Sequence, residues 1–477
     1  MNKLKDHTSM RVRKCFPIEI GFELEFCINE AKIYTTDRLP NSQEEANKTD
    51  SNETNFLVIE IWTQLDAIES VKNVHLYTRP TILILLSVIS YLSDHPLTIY
   101  ENISMGMNTT LDEKPNKIEV SKTIYNQIDK SRDLIKILKS IYMKEENINE
   151  FLVSVLSRWH KARYLEDQSD ASLYYEEGFL VYFHIMELFS NSYRKEQIDE
   201  AQEKIEDFSR ELLSNTLKLR DNNLEQVCQE KYKAVRSILL SDGQIPITSR
   251  ICYLLDRVGL LDLKTQYFVE QLVKIRNTIA HGRHVNHKKL SYPLPPFLSI
   301  NSDVEKFICE IRVFTGRVIG AYLSIEAWSD EWTDVHHYLH PPPEYVKRFI
   351  RNASFQSIAP TDFVEGTIDG VRPSSLTENF LLKKIKLREF EMGLKLFLLD
   401  VEVDQDNAFE VFEAAVILAD SHDEALSCRC RNIVADIHKN RLVWYSNIKD
   451  ILREIEQHKV NLNWFRSWIE SGGHRAK

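Results

Sequence analysis

The rhythm of apolar and polar positions changes three times along the chain. Ile18 to Ile28 and Asn55 to Trp62 alternate in the manner of half-buried strands, and between them Asn41 to Asn55 contains a single apolar residue, Ala46. Two strands separated by a polar loop are predicted there. Thr81 to Leu92 is a nearly continuous apolar run that suits a buried helix or a buried strand, and of the two we take the helix. Between Asn116 and Ile245 proline is absent, so nothing interrupts helix formation. The spacing predicts helices over Asn147 to Glu166, Ala171 to Tyr193 and Lys195 to Leu219, the last dense in charges that suit a solvated face. Further helices are expected over Leu224 to Leu240, Pro246 to Val258, Lys264 to Ala280 and Asp303 to Trp328. Short connections favour antiparallel neighbours, so 146–330 reads as one antiparallel bundle.

Three consecutive prolines, Pro341 to Pro343, form a stiff spacer and mark a boundary. Beyond it, Leu394 to Leu398 and Val411 to Leu418 look like strands flanking the polar turn Asp404-Gln405-Asp406-Asn407, which predicts a hairpin. Ser421, followed three residues later by Glu424, has the form of a capping box that starts a helix. The expected fold class is therefore mainly α: a central antiparallel helical bundle flanked by smaller α/β N- and C-terminal domains. The expected divisions are 1–145, 146–330 and 331–477, the last a linker and a small α/β module.

Composition narrows the function. With 13 glycines and 14 prolines in 477 residues, no Gly-rich phosphate cradle of the P-loop or dinucleotide type can be assembled. The 60 Lys and Arg are outnumbered by 71 Asp and Glu, so any surface for nucleic acid must be a local patch. Seven scattered cysteines give no disulfide framework and imply reduced thiols. The basic stretch Met1 to Lys14 is not followed by an apolar leader, and Thr81 to Leu92 is too short to span a bilayer. A cytoplasmic protein with no membrane partner is expected.

Candidate chemistry gathers near residue 280. Phe268, Leu272, Ile275 and Ile279 recur at helical spacing, with Arg276, Asn277 and His281 off that stripe and Gly282 placed to end the helix. No acidic residue occurs between Glu270 and Asp303, while Lys274, Arg276, His281, Arg283, His284, His287, Lys288 and Lys289 fill the interval. Such a window attracts phosphate: arginine offers a planar fork to its oxygens, and histidine exchanges protons near neutral pH. These are the parts of an RNA phosphodiesterase, with His281 as general acid or base at the ribose 2′-hydroxyl, Arg276 stabilising the charged transition state and Asn277 orienting either. Lys274, Arg283 and His284 are the candidate substrate-binding residues. Five residues turn a helix by about 140°, so Arg276 and His281 converge only at a frayed end or through a second copy. Glu187, a charge within the apolar helix around Phe183 to Phe189, is a candidate anchor for Arg276. The alternative reading is that Arg276 and His281 merely cap and solvate a helix end.

At Arg276-Asn277-Thr278-Ile279-Ala280-His281 the sequence resembles the HEPN superfamily, whose signature is an arginine, often followed by a polar residue, with a histidine four to six positions further on. The resemblance covers roughly 146–330, including the upstream helix through Leu180 to Phe189. It implies a metal-independent endoribonuclease that dimerises so that two motifs face each other across a cleft. Such proteins act in toxin–antitoxin pairs, abortive infection and CRISPR effectors, and an α/β region before the bundle loosely resembles ApeA-type anti-phage proteins, with that region as a sensor of a phage trigger or regulatory partner. In a partner-modified branch of the family a tyrosine follows the histidine by two residues; Arg283 stands there in this chain. RNA and a second copy are the expected partners, and no cofactor or metal is expected. The principal alternative is a non-catalytic module that uses the same patch to hold RNA or protein.

Other strings invite weaker chemistry. Tyr174, Tyr175, Tyr182 and Phe183 form an aromatic stripe that reads as core. Asp334 to His340 contains three histidines but lacks the spacing of a zinc site, and reads as a solvated linker. Glu402 to Glu413 departs from a calcium loop at its first and sixth positions. Cys428 and Cys430 are too close to bridge easily and read as idle thiols.

Overall fold

The computed structural model describes residues 9–18, 21–37, 55–64, 71–97, 104–110, 113–144, 147–168, 174–218, 220–240, 245–281, 302–443 and 448–472. The loop expected over Asn41 to Asn55 lies outside the described residues except for Asn55.

The first elements are β1 (Ser9–Ile18), β2 (Phe22–Ile28), β3 (Ala31–Thr36), β4 (Asn55–Gln64), α1 (Val71–Ser93), β5 (Ser104–Thr110), β6 (Glu119–Tyr125), β7 (Ile128–Asp129), α2 (Ser131–Ile141), β8 (Tyr142–Lys144) and β9 (Asn147–Ile148). Seven strands form one antiparallel sheet in the order β5-β1-β4-β3-β2-β6-β7. Phe22, Leu24, Phe26 and Ile28 are buried and Glu23 and Glu25 exposed, which is the alternation that identified β2. The strand expected over Ile18 to Ile28 is in fact the end of one strand and the whole of the next. In β4 both faces are buried from Leu57 to Trp62, and the one carboxylate among them, Glu60, accepts from Arg13 Nε at 2.6 Å. Absence of proline does not select helix over strand, and β6 lies inside the proline-free stretch.

The helices that follow are α3 (Glu150–Glu166), α4 (Tyr175–Ser192), α5 (Arg194–Glu211), α6 (Asp221–Leu240), α7 (Ile247–Arg257), α8 (Leu263–Ala280), α9 (Ser302–Tyr322) and α10 (Ser329–Tyr338). The segment expected to be one helix to residue 219 leaves α-helical geometry at Leu212–Thr216, a π turn. Helix α4 packs against α3, α7 and α9, and α1 against α3. Their shared core centres on Trp159, whose ring lies 5.0–5.5 Å from those of Tyr91, Tyr182 and Trp328. At the edge of this core Arg163 and Arg312 each bind both Asp94 and Glu166, and Tyr182 donates to Glu166 at 3.0 Å. The core reading of the aromatic stripe holds for Tyr182 and Phe183, which are buried, whereas Tyr174 is exposed.

Helix α1 extends well beyond the apolar run that announced it, and Leu76–Ser93 is long and apolar enough to cross a membrane by length and composition. In this protein it is a core helix. Ile82, Leu85, Leu86, Val88, Ile89 and Tyr91 are all buried, and the hydroxyls of Thr78, Ser87 and Ser93 donate back to the carbonyls of Val74, Leu83 and Ile89.

The remaining helices are α11 (Pro343–Arg351), α12 (Pro360–Glu365), α13 (Pro373–Leu381), α14 (Leu387–Asp400), α15 (Ala408–Leu418), α16 (Glu424–Asn440), α17 (Ile448–Gln457) and α18 (Asn463–Glu470). The expected C-terminal α/β module is therefore wrong: both proposed strands are helices. In α14 the buried residues Phe390, Gly393, Leu394, Phe397 and Leu398 recur at helical spacing, and exposed Leu396 only made the string look alternating. Helix α15 is buried on nearly every side, so its apolar run has no periodicity to read. Nor does Ser421 cap α16. Asp423 does so, accepting from Leu426 N at 3.0 Å, while Ser421 accepts from Asp423 N.

The chain groups into two compact units. The first holds the sheet and the helices as far as Val335. The second holds His336 onward together with Asp262–Phe268. The N-terminal sheet and the central helices therefore belong to one compact unit.

Candidate active site

The site builds on the last two turns of α8 and the facing side of α4, both in the first unit. Phe268, Val269, Leu272, Val273 and Ile275 bury the inner face of α8. Arg276 follows this stripe and turns toward α4, where its Nη2 donates to Glu187 Oε1 at 2.8 Å and its guanidinium carbon lies 5.9 Å from the Phe183 ring centroid. Its Nη1 donates to Asn277 Oδ1 at 3.2 Å. Nε of Arg276 is buried and has no acceptor among the described residues. The guanidinium is thus fixed by a carboxylate and an amide on two of its nitrogens and retains N–H groups for a further oxyanion.

Glu187 is the anchor that its sequence position suggested, and it has a second neighbour that sequence reasoning missed. Its Oε2 lies 3.9 Å from His184 Nε2, so one carboxylate stands between an arginine and a half-exposed histidine. The signal was available: His184 and Glu187 are three residues apart on one helix and so share a face.

His281 closes α8, its backbone N–H donating to Asn277 O at 3.1 Å, and its side chain is exposed. Lys274 is exposed one full turn before Thr278, whose hydroxyl donates to the Lys274 carbonyl. Seven residues separate Lys274 from His281, a rotation of about 20° from eclipsed, whereas Arg276 is about 140° from His281. Lys274 and His281 therefore share one face of α8, and Arg276 occupies another, against α4. Arg283 and His284, with Gly282, His287, Lys288 and Lys289, lie outside the described residues.

The histidine-rich string is not a linker. Asp334 to Tyr338 lies in α10, His336 Nε2 is 2.6 Å from Asp262 Oδ2 and His340 Nε2 is 3.2 Å from Glu378. Against the partial burial of its carboxyl, hydrogen bonds from His336 and Thr265 hold Asp262 down at about 2. In the calcium-loop look-alike, Asp404 Oδ1 accepts from the backbone of Asp406 and Asn407 at 3.0 Å, a turn stabilised by its own side chain. Cys428 is exposed and Cys430 buried on α16. Among the described residues no three His, Cys, Asp or Glu side chains gather as a metal-holding group.

Comparison with protein-family models, with curated proteins and with solved structures finds no match for the chain.

Proposed function

We propose that the protein is an endoribonuclease of the HEPN type, which cleaves RNA without a metal, acts as a homodimer and serves anti-phage defence or a toxin system. The observation that carries the reading is the Glu187–Arg276–Asn277 constellation, in which a guanidinium on the helix that leads to His281 is positioned by a carboxylate of α4. His281 removes the 2′-hydroxyl proton, the oxygen attacks the adjacent phosphorus, and the P–O5′ bond breaks as the protonated His281 of the second copy gives its proton to the leaving 5′-oxygen. Arg276 stabilises the extra negative charge of the pentavalent transition state. The products are a 2′,3′-cyclic phosphate and a 5′-hydroxyl, and DNA, lacking the nucleophile, is not a substrate.

The angular separation of Arg276 and His281 supports a paired site, in which a second copy brings its own α8 end across the cleft. Lys274, Arg283 and His284 hold the substrate backbone. A nuclease of this kind must be restrained in its host, and the N-terminal sheet is the candidate sensor for a phage trigger or regulatory partner. The second reading, a non-catalytic module that holds RNA or protein, is favoured by the exposed face that Lys274 and His281 share.

The test is cleavage of total RNA and tRNA by the purified protein in EDTA. His281→Ala should lower the rate by about 10²–10⁴-fold and Arg276→Ala by about 10²–10³-fold. Light scattering on the same samples should give a dimer. Cleavage indifferent to both substitutions would leave the binding module as the better account.

A further inference from the structure

The second unit contains a cationic site that the nuclease reading does not use. Arg372 precedes α13 and is only 1% exposed. Its Nη2 lies 3.1 Å from Glu410 Oε1, while Nε and Nη1 have no acceptor among the described residues. Guanidinium nitrogens buried without acceptors are rare, because desolvating them without compensation is costly. Glu410 cannot serve them all, since its Oε2 already accepts from Ser374 N at 3.0 Å.

A second cation lies beside the first. Lys264 is half-buried, donates from Nζ to the His337 carbonyl at 3.2 Å, and is held below the usual lysine range by burial and by the charge of Arg372. One loop brings the two stems together. Gly366 and Gly370 both have left-handed backbones, at φ +72° and +71°. A β-carbon at Gly366 would lie 2.8 Å from Arg372 Cγ, and one at Gly370 would lie 2.8 Å from Lys264 Cε. Side chains at those positions would displace the cations.

Two large rings stand at the same place. The Arg372 guanidinium is 5.1 Å from the centroid of Tyr338, and Tyr338 meets Phe409 edge-on at 6.2 Å. Both rings are more than half exposed, at 55% and 63%. The charged groups around are Glu410, the exposed Glu365 near His337, and Asp262, which is engaged by His336. Glu410 is set against Arg372 and Asp262 against His336, which leaves Lys264 and the exposed Glu365 as the other charges named here.

We propose that Arg372 and Lys264 form a binding site for a phosphate group. Its oxygens accept from Arg372 Nε and Nη1 and from Lys264 Nζ, and Tyr338 and Phe409 offer ring surface to whatever carries it. The phosphate is either free or borne by a small molecule with a flat ring, and the two sources differ in whether the exposed rings add affinity. The site is independent of the RNA-cleaving residues, which lie in the other unit.

Titration calorimetry on the full chain tests this with inorganic phosphate, AMP and, as a monocarboxylate control, acetate, at constant ionic strength. Saturable binding of phosphate is expected, with AMP tighter if the rings take part and equal to phosphate if they do not. Lys264→Gln retains donors for the α10 carbonyls but loses the charge, and should weaken binding at least tenfold. Lys384→Gln, at an exposed lysine outside both sites, should leave it unchanged. Circular dichroism confirms that each variant is folded. The proposal is overturned if neither phosphate nor AMP binds saturably, if acetate binds as well as phosphate, if Lys264→Gln binds as the wild type does, or if Lys384→Gln weakens binding as much as Lys264→Gln.

Discussion

Arg276 is the residue on which the proposed chemistry turns, and Glu187 holds it through a 2.8 Å hydrogen bond. An ion pair that keeps 30% and 21% of its side chains exposed still meets solvent and contributes about 1 kcal/mol to stability, so the proposed value of Glu187 lies in aiming the guanidinium. Glu187→Gln should leave the melting temperature nearly unchanged and lower RNA cleavage by about 10–100-fold, the cost of a small misplacement at a reacting centre. A variant that cuts at the wild-type rate would remove Glu187 from the mechanism. His160 carries a prediction of a different kind. It is buried, its Nε2 faces the Leu97 carbonyl, its Nδ1 lies 3.3 Å from Ser87 Oγ, and burial pushes it down to about 4. The unfolded chain binds that proton near pH 6.5, so the contribution to stability is complete above about pH 6.5 and is lost as pH falls toward 4. The loss is up to about 1.4 kcal/mol per pH unit within that window. Urea unfolding at pH 7, 5.5 and 4.5 should show the advantage of wild type over His160→Leu shrinking as the pH falls; a constant difference would mean that the folded protein accepts the proton. At this scale the sequence was informative where a residue broke its pattern. Glu187 was visible as a charge in an apolar helix, while His184 was passed over because a histidine on a half-exposed face breaks none.

Elements were legible in proportion to the regularity of their burial. Strand β2, buried on one face, announced itself by alternation. Strand β1 did not: Arg11, Arg13 and Lys14 read as a basic N-terminal segment, and only the fold reveals that Arg13 serves the buried Glu60 of β4. Misreading of α14 and α15 has one cause, since a short apolar string carries too few residues to fix its period. That difference can be measured. If Leu394 to Leu398 were a strand, Leu394, Leu396 and Leu398 would share one face. In the helix Leu394 and Leu398 are fully buried and Leu396 is 51% exposed. Leu394→Ala should therefore destabilise the protein by about 2–5 kcal/mol, and Leu396→Ala by about 0.5 kcal/mol or less, in denaturant titrations. Equal losses at the two positions would contradict the helix.

On the scale of the whole molecule, predominance of helix followed from scarce glycine and proline, but the grouping of elements did not. A proline-free helical stretch and the triple proline suggested three divisions, whereas Asp262–Phe268 belongs to the second unit and the residues directly after it in α8 to the first, a division that depends on tertiary contacts between distant segments. The residues proposed to act on RNA all come from the first unit, and the anion site from the second. The central claim is that the chain cleaves RNA by attack of its own 2′-hydroxyl, with His281 and Arg276 supplying the proton transfer and the charge. The most direct measurement is the chemical identity of the new 3′ ends produced in EDTA by wild type and by His281→Ala. The account predicts 2′,3′-cyclic phosphates from wild type and almost no product from the variant. Ends bearing a 3′-hydroxyl, or the same products in the same yield from His281→Ala, would contradict it.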